Sequence, residues 1–430
     1  VTTTALTQLL EEKNKWRNAL QTIKQLGPDK LKVIQATLPV VKEHGEAITR
    51  RFYQGLFEKH PELKNIFNMS HQRSGHQPKA LADAVYGAAA NIEDMSKIMP
   101  VLERIGEKHR SLQVKPEHYP IVGEHLLGAI KDVLGDAATD EILDAWADAY
   151  DVISDVFIRM EDAMYRTTEN LPGGWAGFKD FVVDKKVAES DVITSFYLKP
   201  ADGKPLVEFL PGQYITLKAD IPGEEHTHLR QYSLSDRPGE SYYRISVKRE
   251  DAHDGDPAGV VSTYLHSKLQ EGDTIAITAP AGDFYLDVAA NTPVVLISGG
   301  VGITPLLSML NTIAAVNPTR EVTMIQAARH GKVHAFGKHV KQLADTHPSV
   351  KSFVIYQEPT QEDQAAKSYD QEGHITSEWL KSALTLQADT DYYFCGPRSF
   401  MHAVHKQLKE LGVPANRVHY EFFGSFGNIE

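Results

Sequence analysis

A single cysteine, Cys395, in 430 residues excludes an internal disulfide. With no apolar signal-peptide core at the amino end, a reducing, cytoplasmic setting is the expectation. No apolar run is long enough to cross a bilayer, so a transmembrane segment is not expected. Basic charge is also short. Lys and Arg number 45 against 57 Asp and Glu, a formal charge of −12, which argues against nucleic acid or an anionic membrane as partner. Long repeats and low-complexity tracts are missing too. What remains is a chain of ordinary globular composition, too long for one core, for which two to four domains are expected.

Residues 1–26 read as an amphipathic helical extension, with Leu6, Leu9, Leu10, Trp16, Leu20 and Ile23 interleaved with Glu11, Glu12, Lys13 and Lys15. The acidic pair speaks against a mitochondrial presequence, and a helix packed on the next domain is the expectation. Residues 27–169 are patterned almost purely as helix. Pro28 and Asp29 open one helix, Glu46–Glu58 forms the next, and a polar loop runs from Asn68 to Gly75. Further helices are predicted over 79–91, 97–112, 117–134 and 139–166, an all-α domain packed obliquely around a pocket.

The segment Asn170-Leu171-Pro172-Gly173-Gly174-Trp175 punctuates the chain, and the pattern changes after it. Over 170–288, short alternating runs (179–187, 194–199, 214–219, 232–235, 242–249 and 274–278) predict an antiparallel β-barrel or sandwich. The acidic stretch Asp251–Asp256 reads as an exposed loop. Over 289–430, buried-looking strands at 293–298, 322–327, 352–356 and 392–395 alternate with helices at 304–315, 334–345, 376–383 and 398–411. That alternation predicts an open, parallel α/β sheet.

Chemistry-bearing residues fall in each part. Gly299-Gly300-Val301-Gly302-Ile303-Thr304-Pro305 follows a strand and opens a helix, so its backbone N–H groups suit a pyrophosphate. Cys395-Gly396-Pro397 ends a strand at the carboxyl edge of the same sheet, where α/β folds bind ligands. Arg230-Gln231-Tyr232-Ser233 places a phosphate-pairing cation beside an aromatic face, and Tyr214 offers a second one. Gly259-Val260-Val261-Ser262 sits at a helix start suited to phosphate. In the helical part, Leu102, Ile105, His109 and Leu112 share one helix face. An imidazole in an apolar stripe is either a hydrogen-bonded core residue or an axial ligand to haem iron. Glu161 has a solvated helix position as its bland alternative, and His60, His71, His76, His118 and His125 read as surface residues.

The series RQYS, GVVS, GGVGITP and CGP, closed by Glu421-Phe422-Phe423-Gly424, resembles the ferredoxin–NADP reductase type of flavin module. With the helical domain ahead of it, the chain resembles the flavohaemoglobins from about residue 27 to its end. The resemblance implies a globin domain with haem b, a β-barrel domain with FAD and an α/β domain that binds NADH or NADPH. It implies FAD contacts from Tyr214, Arg230, Gln231, Tyr232, Ser233, Gly259, Val260, Val261 and Ser262, with Phe423 over the flavin ring until nicotinamide displaces it. Gly299, Gly300, Val301, Gly302, Thr304, Pro305, Cys395, Gly396 and Pro397 are implied at the NAD(P)H site. In the globin domain it implies His109 as the iron ligand and Tyr119 and Glu161 bonded around its imidazole. Tyr53 and Gln77 are implied on the distal side, with Phe67, Leu81 and Lys108 in the haem pocket. The implied activity is nitric oxide dioxygenation, in which O2 and NO become nitrate and electrons pass from NAD(P)H through FAD to haem without a separate reductase. A reductase of hydroperoxides or other acceptors, and an oxygen-binding sensor or store, are the alternatives. Arg329 and His330 follow the second α/β strand, where a ribose or its 2′-phosphate would lie, and leave NADH against NADPH open.

Overall fold

Helix α1 (Thr3–Lys13) starts from Thr2, whose hydroxyl accepts the Ala5 N–H, and passes into a 3-10 segment, Asn14–Leu20. The computed structural model describes residues 2–20, 24–68, 76–253, 255 and 257–424. Ile23, most of the polar loop with His71, and two residues of the acidic stretch lie outside these, as does the side chain of His76. The extension does not pack as one helix on the domain that follows. Leu6 and Leu9 are buried in a cluster with Leu210, Phe284 and Leu286 of the barrel domain and Leu306 and Leu310 of the α/β domain. Trp16 is buried with Leu102, Tyr119 and Met160 of the helical domain. The segment therefore reaches all three domains, where packing on the next domain alone was expected.

The helical domain comprises α2 (Pro28–Lys59), α3 (His76–Ala90), α4 (Met99–Ser111), α5 (His118–Leu134) and α6 (Asp140–Asn170). Two helices were expected where α2 runs unbroken. Pro39 inside it removes one N–H without ending it, and Gly45, whose ideal Cβ would lie 3.2 Å from that of Ala82, is a point of close approach to α3. Helix α6 is capped by Thr139, carries Asp140 and Glu141 in its first turn, and buries Ala145, Ala149, Val152, Val156, Met160 and Met164 at helical spacing.

Strands β1 (Phe178–Ala188), β2 (Ile193–Pro200), β3 (Tyr214–Ala219), β4 (His228–Ser233), β5 (Tyr243–Lys248) and β6 (Thr274–Thr278) pair antiparallel in the order β4-β3-β6-β1-β2-β5. A bridge between Leu234 and Ile245 joins the two ends and closes the barrel. Alternate residues such as Phe181 and Val183, Phe196 and Leu198, and Ile215 and Leu217 fill it. Helix α7 (Val260–Ser267) interrupts the strands.

The third domain is a parallel sheet, β10-β9-β8-β7-β11-β12, built from β7 (Val294–Gly299), β8 (Val322–Ala328), β9 (Val350–Tyr356), β10 (Gln371–Glu372), β11 (Asp391–Cys395) and β12 (Val418–Glu421). Val294 and Leu296 pack with α8 (Ile303–Val316) and α9 (Gly337–Thr346). Val295 and Ile297 face the other way, onto α11 (Ser377–Ala383) and α12 (Arg398–Glu410), so helices cover both faces. Helix α10 (Gln361–Ala366) and the edge strands β10 and β12 were not expected; each is short and lacks a strong period of its own. Among the described residues no helix is long and apolar enough to cross a membrane.

Because Leu6 is fully buried between domains, Leu6→Ala is expected to cost about 2–5 kcal/mol of stability. The measurement is the urea midpoint at unchanged slope, and an unmoved midpoint would remove α1 from the core.

Candidate functional site

On α4, Leu102, Ile105 and His109 face the interior of the helical domain, and His109 meets two side chains there. Its Nδ1 lies 2.7 Å from Glu161 Oε1 and 3.2 Å from Tyr119 Oη, while the Tyr119 hydroxyl donates to the same Glu161 oxygen at 2.7 Å. Tyr119 spends its one proton on the carboxylate, and a carboxylate only accepts. The proton of His109 therefore sits on Nδ1, which leaves Nε2 with a free lone pair. The imidazole is 31% exposed although Leu102 and Met160 beside it are buried, so Nε2 borders open space. An accessible lone pair backed by a buried carboxylate fits an axial ligand to haem iron. Glu161 itself is 3% exposed, which disposes of a solvated position. Burial and the neighbouring carboxylate push the Tyr119 phenol far up, so it stays protonated.

A second group gathers from α2, the turn after it and α3. Tyr53 is buried, with its ring 5.6 Å from Phe67 and 5.8 Å from Phe57. Gln77 lies in the first turn of α3, which the Thr49 hydroxyl ties to α2 by donating to the Pro78 carbonyl at 2.8 Å. Leu81 and Val85 pack on the same cluster.

Where the helical domain meets the barrel, charged and aromatic residues converge. Lys108 was expected in the haem pocket, but one residue along a helix turns the side chain by about 100°. Its Nζ donates instead to Gln231 Oε1 at 2.7 Å and lies 6.0 Å from the Tyr214 ring centroid. Burial pulls the Lys108 ammonium down to about 8. Glu421, at the end of β12, carries a carboxyl that burial and the Asp283 charge push up to about 8, against the pull of Lys108 and Arg104. Its Oε2 is sealed from solvent and has no hydrogen-bond partner among the described residues. On β4 the alternation puts Arg230 and Tyr232 on one face and Gln231 and Ser233 on the other. Burial lowers the Arg230 guanidinium; it donates to the Leu229 carbonyl at 2.8 Å and makes no ion pair among the described residues. A half-buried cation with no ion pair among the described residues, on the same strand face as Tyr232, fits a flavin nucleotide's phosphate. The GVVS hydroxyl does not: Ser262 Oγ already accepts from the Glu250 N–H at 3.2 Å and closes its own turn on Gly259. Only the turn's backbone remains for a ligand.

At the sheet edge the two glycine turns touch. An ideal Cβ on Gly302 would lie 2.1 Å from the Cys395 carbonyl oxygen, and one on Gly396 would lie 2.6 Å from the Phe400 ring. Glycine is required at both by close approach. The Thr304 hydroxyl turns inward to the Val301 carbonyl at 3.1 Å, and Pro305 is buried, so this turn too offers backbone rather than side chains. Cys395 is fully buried and burial raises its thiol well above the usual range, so its contribution to the edge is main chain. Phe423, beyond β12, is 43% exposed.

Comparison with known proteins follows the same three parts. The chain matches the Globin family over residues 50–157, the Oxidoreductase FAD-binding domain over 180–285 and the Oxidoreductase NAD-binding domain over 296–406. It is 52% identical over 405 residues to the flavohemoprotein of Halalkalibacterium halodurans, covering 94% of this chain and 98% of that one. The chain belongs to the flavohemoprotein family. It is likewise 53% identical over 394 residues to the flavohemoprotein of Bacillus subtilis, covering 92% of this chain and 96% of that one. A crystal structure of the flavohemoglobin of Malassezia yamatoensis with bound FAD and heme superposes with a TM-score of 0.80 at 28% identity, over 93% of this chain and all of that one. The FAD/NAD-binding domain of nitric oxide dioxygenase from Vibrio cholerae matches with a TM-score of 0.52 at 40% identity, over 57% of this chain and 98% of that one.

As a flavohemoprotein the chain is a globin-linked NAD(P)H/FAD oxidoreductase with haem, FAD and NAD(P) as its cofactors. Several residues escaped the reading of the sequence. Glu421 lies inside the quoted EFFG motif yet gave no sign of burial. Gln326 and His334 line a small cavity beside the Gly300 turn, where Gln326 Oε1 and His334 Nε2 have no hydrogen-bond partner among the described residues. His125 was expected at the surface but is buried: its Nδ1 lies 2.9 Å from the Ile121 carbonyl, and its ring packs edge-on to His60.

Burial also pulls His334 down to about 4. Unfolded chains bind this proton near pH 6.5, so stability is lost as pH falls from there towards 4. His334→Phe is expected to flatten the stability–pH curve in that window, measured by urea unfolding at a series of pH values; an unchanged slope would clear His334 of the effect.

Proposed function

We propose that the protein is a nitric oxide dioxygenase, converting two NO and two O2 to two nitrate ions with the two electrons of one NAD(P)H. When bound, FAD accepts the hydride and releases its electrons singly, and haem iron binds oxygen. The observation that carries this reading is the hydrogen-bonded set His109, Glu161 and Tyr119.

Each residue's part follows from its surroundings. The Glu161 carboxylate fixes the His109 ring and its tautomer and lends the imidazole anionic character, which pushes electron density towards a metal at Nε2. A sensor or store has no need of that push or of an attached reductase. The phenol of Tyr53 and the amide of Gln77 are proposed to donate hydrogen bonds to oxygen on the distal side. Arg230 is proposed to pair the flavin nucleotide's phosphate, with Tyr214 and Tyr232 against its rings. The tight turns at Gly299–Gly302 and Cys395–Pro397 present main-chain N–H groups to the pyridine nucleotide. Phe423 is proposed to cover the flavin until nicotinamide arrives.

Three variants test this. His109→Ala is expected to retain FAD but lose the haem Soret band, and an intact band with full iron content would remove His109 from its role. Tyr53→Phe forgoes one hydrogen bond, so bound oxygen is expected to leave about tenfold faster by stopped flow, with a lower nitrate yield. Arg230→Ala is expected to strip FAD and spare haem; normal flavin content would count against the barrel assignment.

A further inference from the structure

Helix α4 works on two sides. Leu102, Ile105 and His109 turn into the helical domain, whereas Arg104, Glu107, Lys108 and Ser111, three and four residues apart, meet the barrel. At the centre of that contact is a buried ion pair, Arg110 Nη2 to Glu107 Oε2 at 2.7 Å, with side chains 4% and 5% exposed. Both residues also grip one loop of the barrel. Glu107 Oε2 accepts the Gly282 N–H at 3.0 Å, and Arg110 Nη2 donates to the Pro280 carbonyl at 2.8 Å. Gly282 has φ +114°, its carbonyl accepts from Gln213 Nε2 at 3.0 Å, and an ideal Cβ on it would lie 2.9 Å from the Tyr214 ring. A short hydrogen-bonded path thus links the helix that carries His109 to the peptide on which Tyr214 rests.

A buried ion pair adds little net stability, because desolvation offsets most of the attraction. It does hold direction, since a shift that separates the partners leaves a charge unpaired in the interior. The Arg104–Asp283 pair at the rim, 3.0 Å apart but 41% and 25% exposed, carries no such penalty. We propose that Glu107 and Arg110 are positioning residues that lock the flavin-side loop 280–283 in one register on the haem-side helix, and so set the gap that electrons cross. The inference rests on the proposed passage of electrons from FAD to haem.

The test uses the full chain loaded with haem and FAD, and the double variant Glu107→Leu with Arg110→Met, which replaces the pair by apolar side chains of similar volume. The rate of flavin reduction by NADH is expected to stay close to that of the unaltered protein, and thermal unfolding to fall modestly because the Gly282 N–H and Pro280 carbonyl lose their partners. Haem reduction, trapped with carbon monoxide in an anaerobic stopped-flow cell, is expected to slow by about tenfold, the scale of a slight misplacement. Hydrogen exchange at the 281–283 amides is expected to rise in parallel. Haem reduction and exchange both unchanged would overturn the proposal, as would flavin and haem reduction slowed to the same extent. Should the double variant fail to fold, Arg110→Lys, which keeps the charge but loses the forked donor, is expected to show the same split at smaller size, and the absence of a split overturns the proposal. An unaltered protein whose flavin is reduced by NADH but whose haem never is would defeat the electron-transfer reading itself. Exchange at Gly282 then decides the lock alone, unchanged protection overturning it.

Discussion

The carboxylate of Glu161 is the constraint on which the helical domain turns. At 3% exposure it must be met by donors, and it is met by two, His109 and Tyr119, from two different helices. That single requirement ties α4, α5 and α6 together at one point and fixes which nitrogen of His109 carries the proton. Apolar contacts from Leu102, Met160 and Met164 surround the set and exclude water from it, which strengthens each bond. Without those walls Glu161 would be a solvated residue on a long amphipathic helix, as its sequence position alone allows.

From that point the chain lays out its chemistry in a line. The outer side of α4 meets the barrel through Lys108, Glu107 and Arg110. The barrel offers Tyr214, Arg230 and Tyr232 on adjacent antiparallel strands. The sheet edge then returns to the same junction, because β12 pairs parallel with β11 and sets Glu421 beside Cys395, within electrostatic reach of Lys108. The extension at the amino end crosses the same ground, with Leu6 between barrel and sheet and Trp16 under Tyr119 in the helical core. Three domains that could each pack alone are thereby held as one body around the proposed electron path.

Much of this was legible in the residues. The central strands of both sheets fell within a residue or two of expectation, except β4, which begins at His228, and the domain order was plain from the change of period after Trp175. The glycine turns were read as cradles for a pyrophosphate, and the structure adds a packing reason for one glycine, Gly302 against the Cys395 carbonyl. The misses share a cause. Lys108 was assigned to the haem pocket by resemblance, which does not show that its helix turns it to Gln231 of the barrel. The Ser262 and Thr304 hydroxyls bond the backbone of their own turns, which the motifs do not show. The edge strands and the burial of His125 depend on elements far along the chain.

The sequence by itself determined the helices and strands, the three domains and their order, and the motifs from which phosphate and haem chemistry are proposed. These follow from periodicity, breakers and turn residues, all of which act over a few neighbours. Only the tertiary structure decided the proton position on His109, the direction of Lys108, the burial of Glu421 and the lock between Arg110 and Pro280, which stand 170 residues apart. Such contacts exist because burial leaves a polar group no water to bond, so its partner is set by what packing brings near rather than by spacing along the chain.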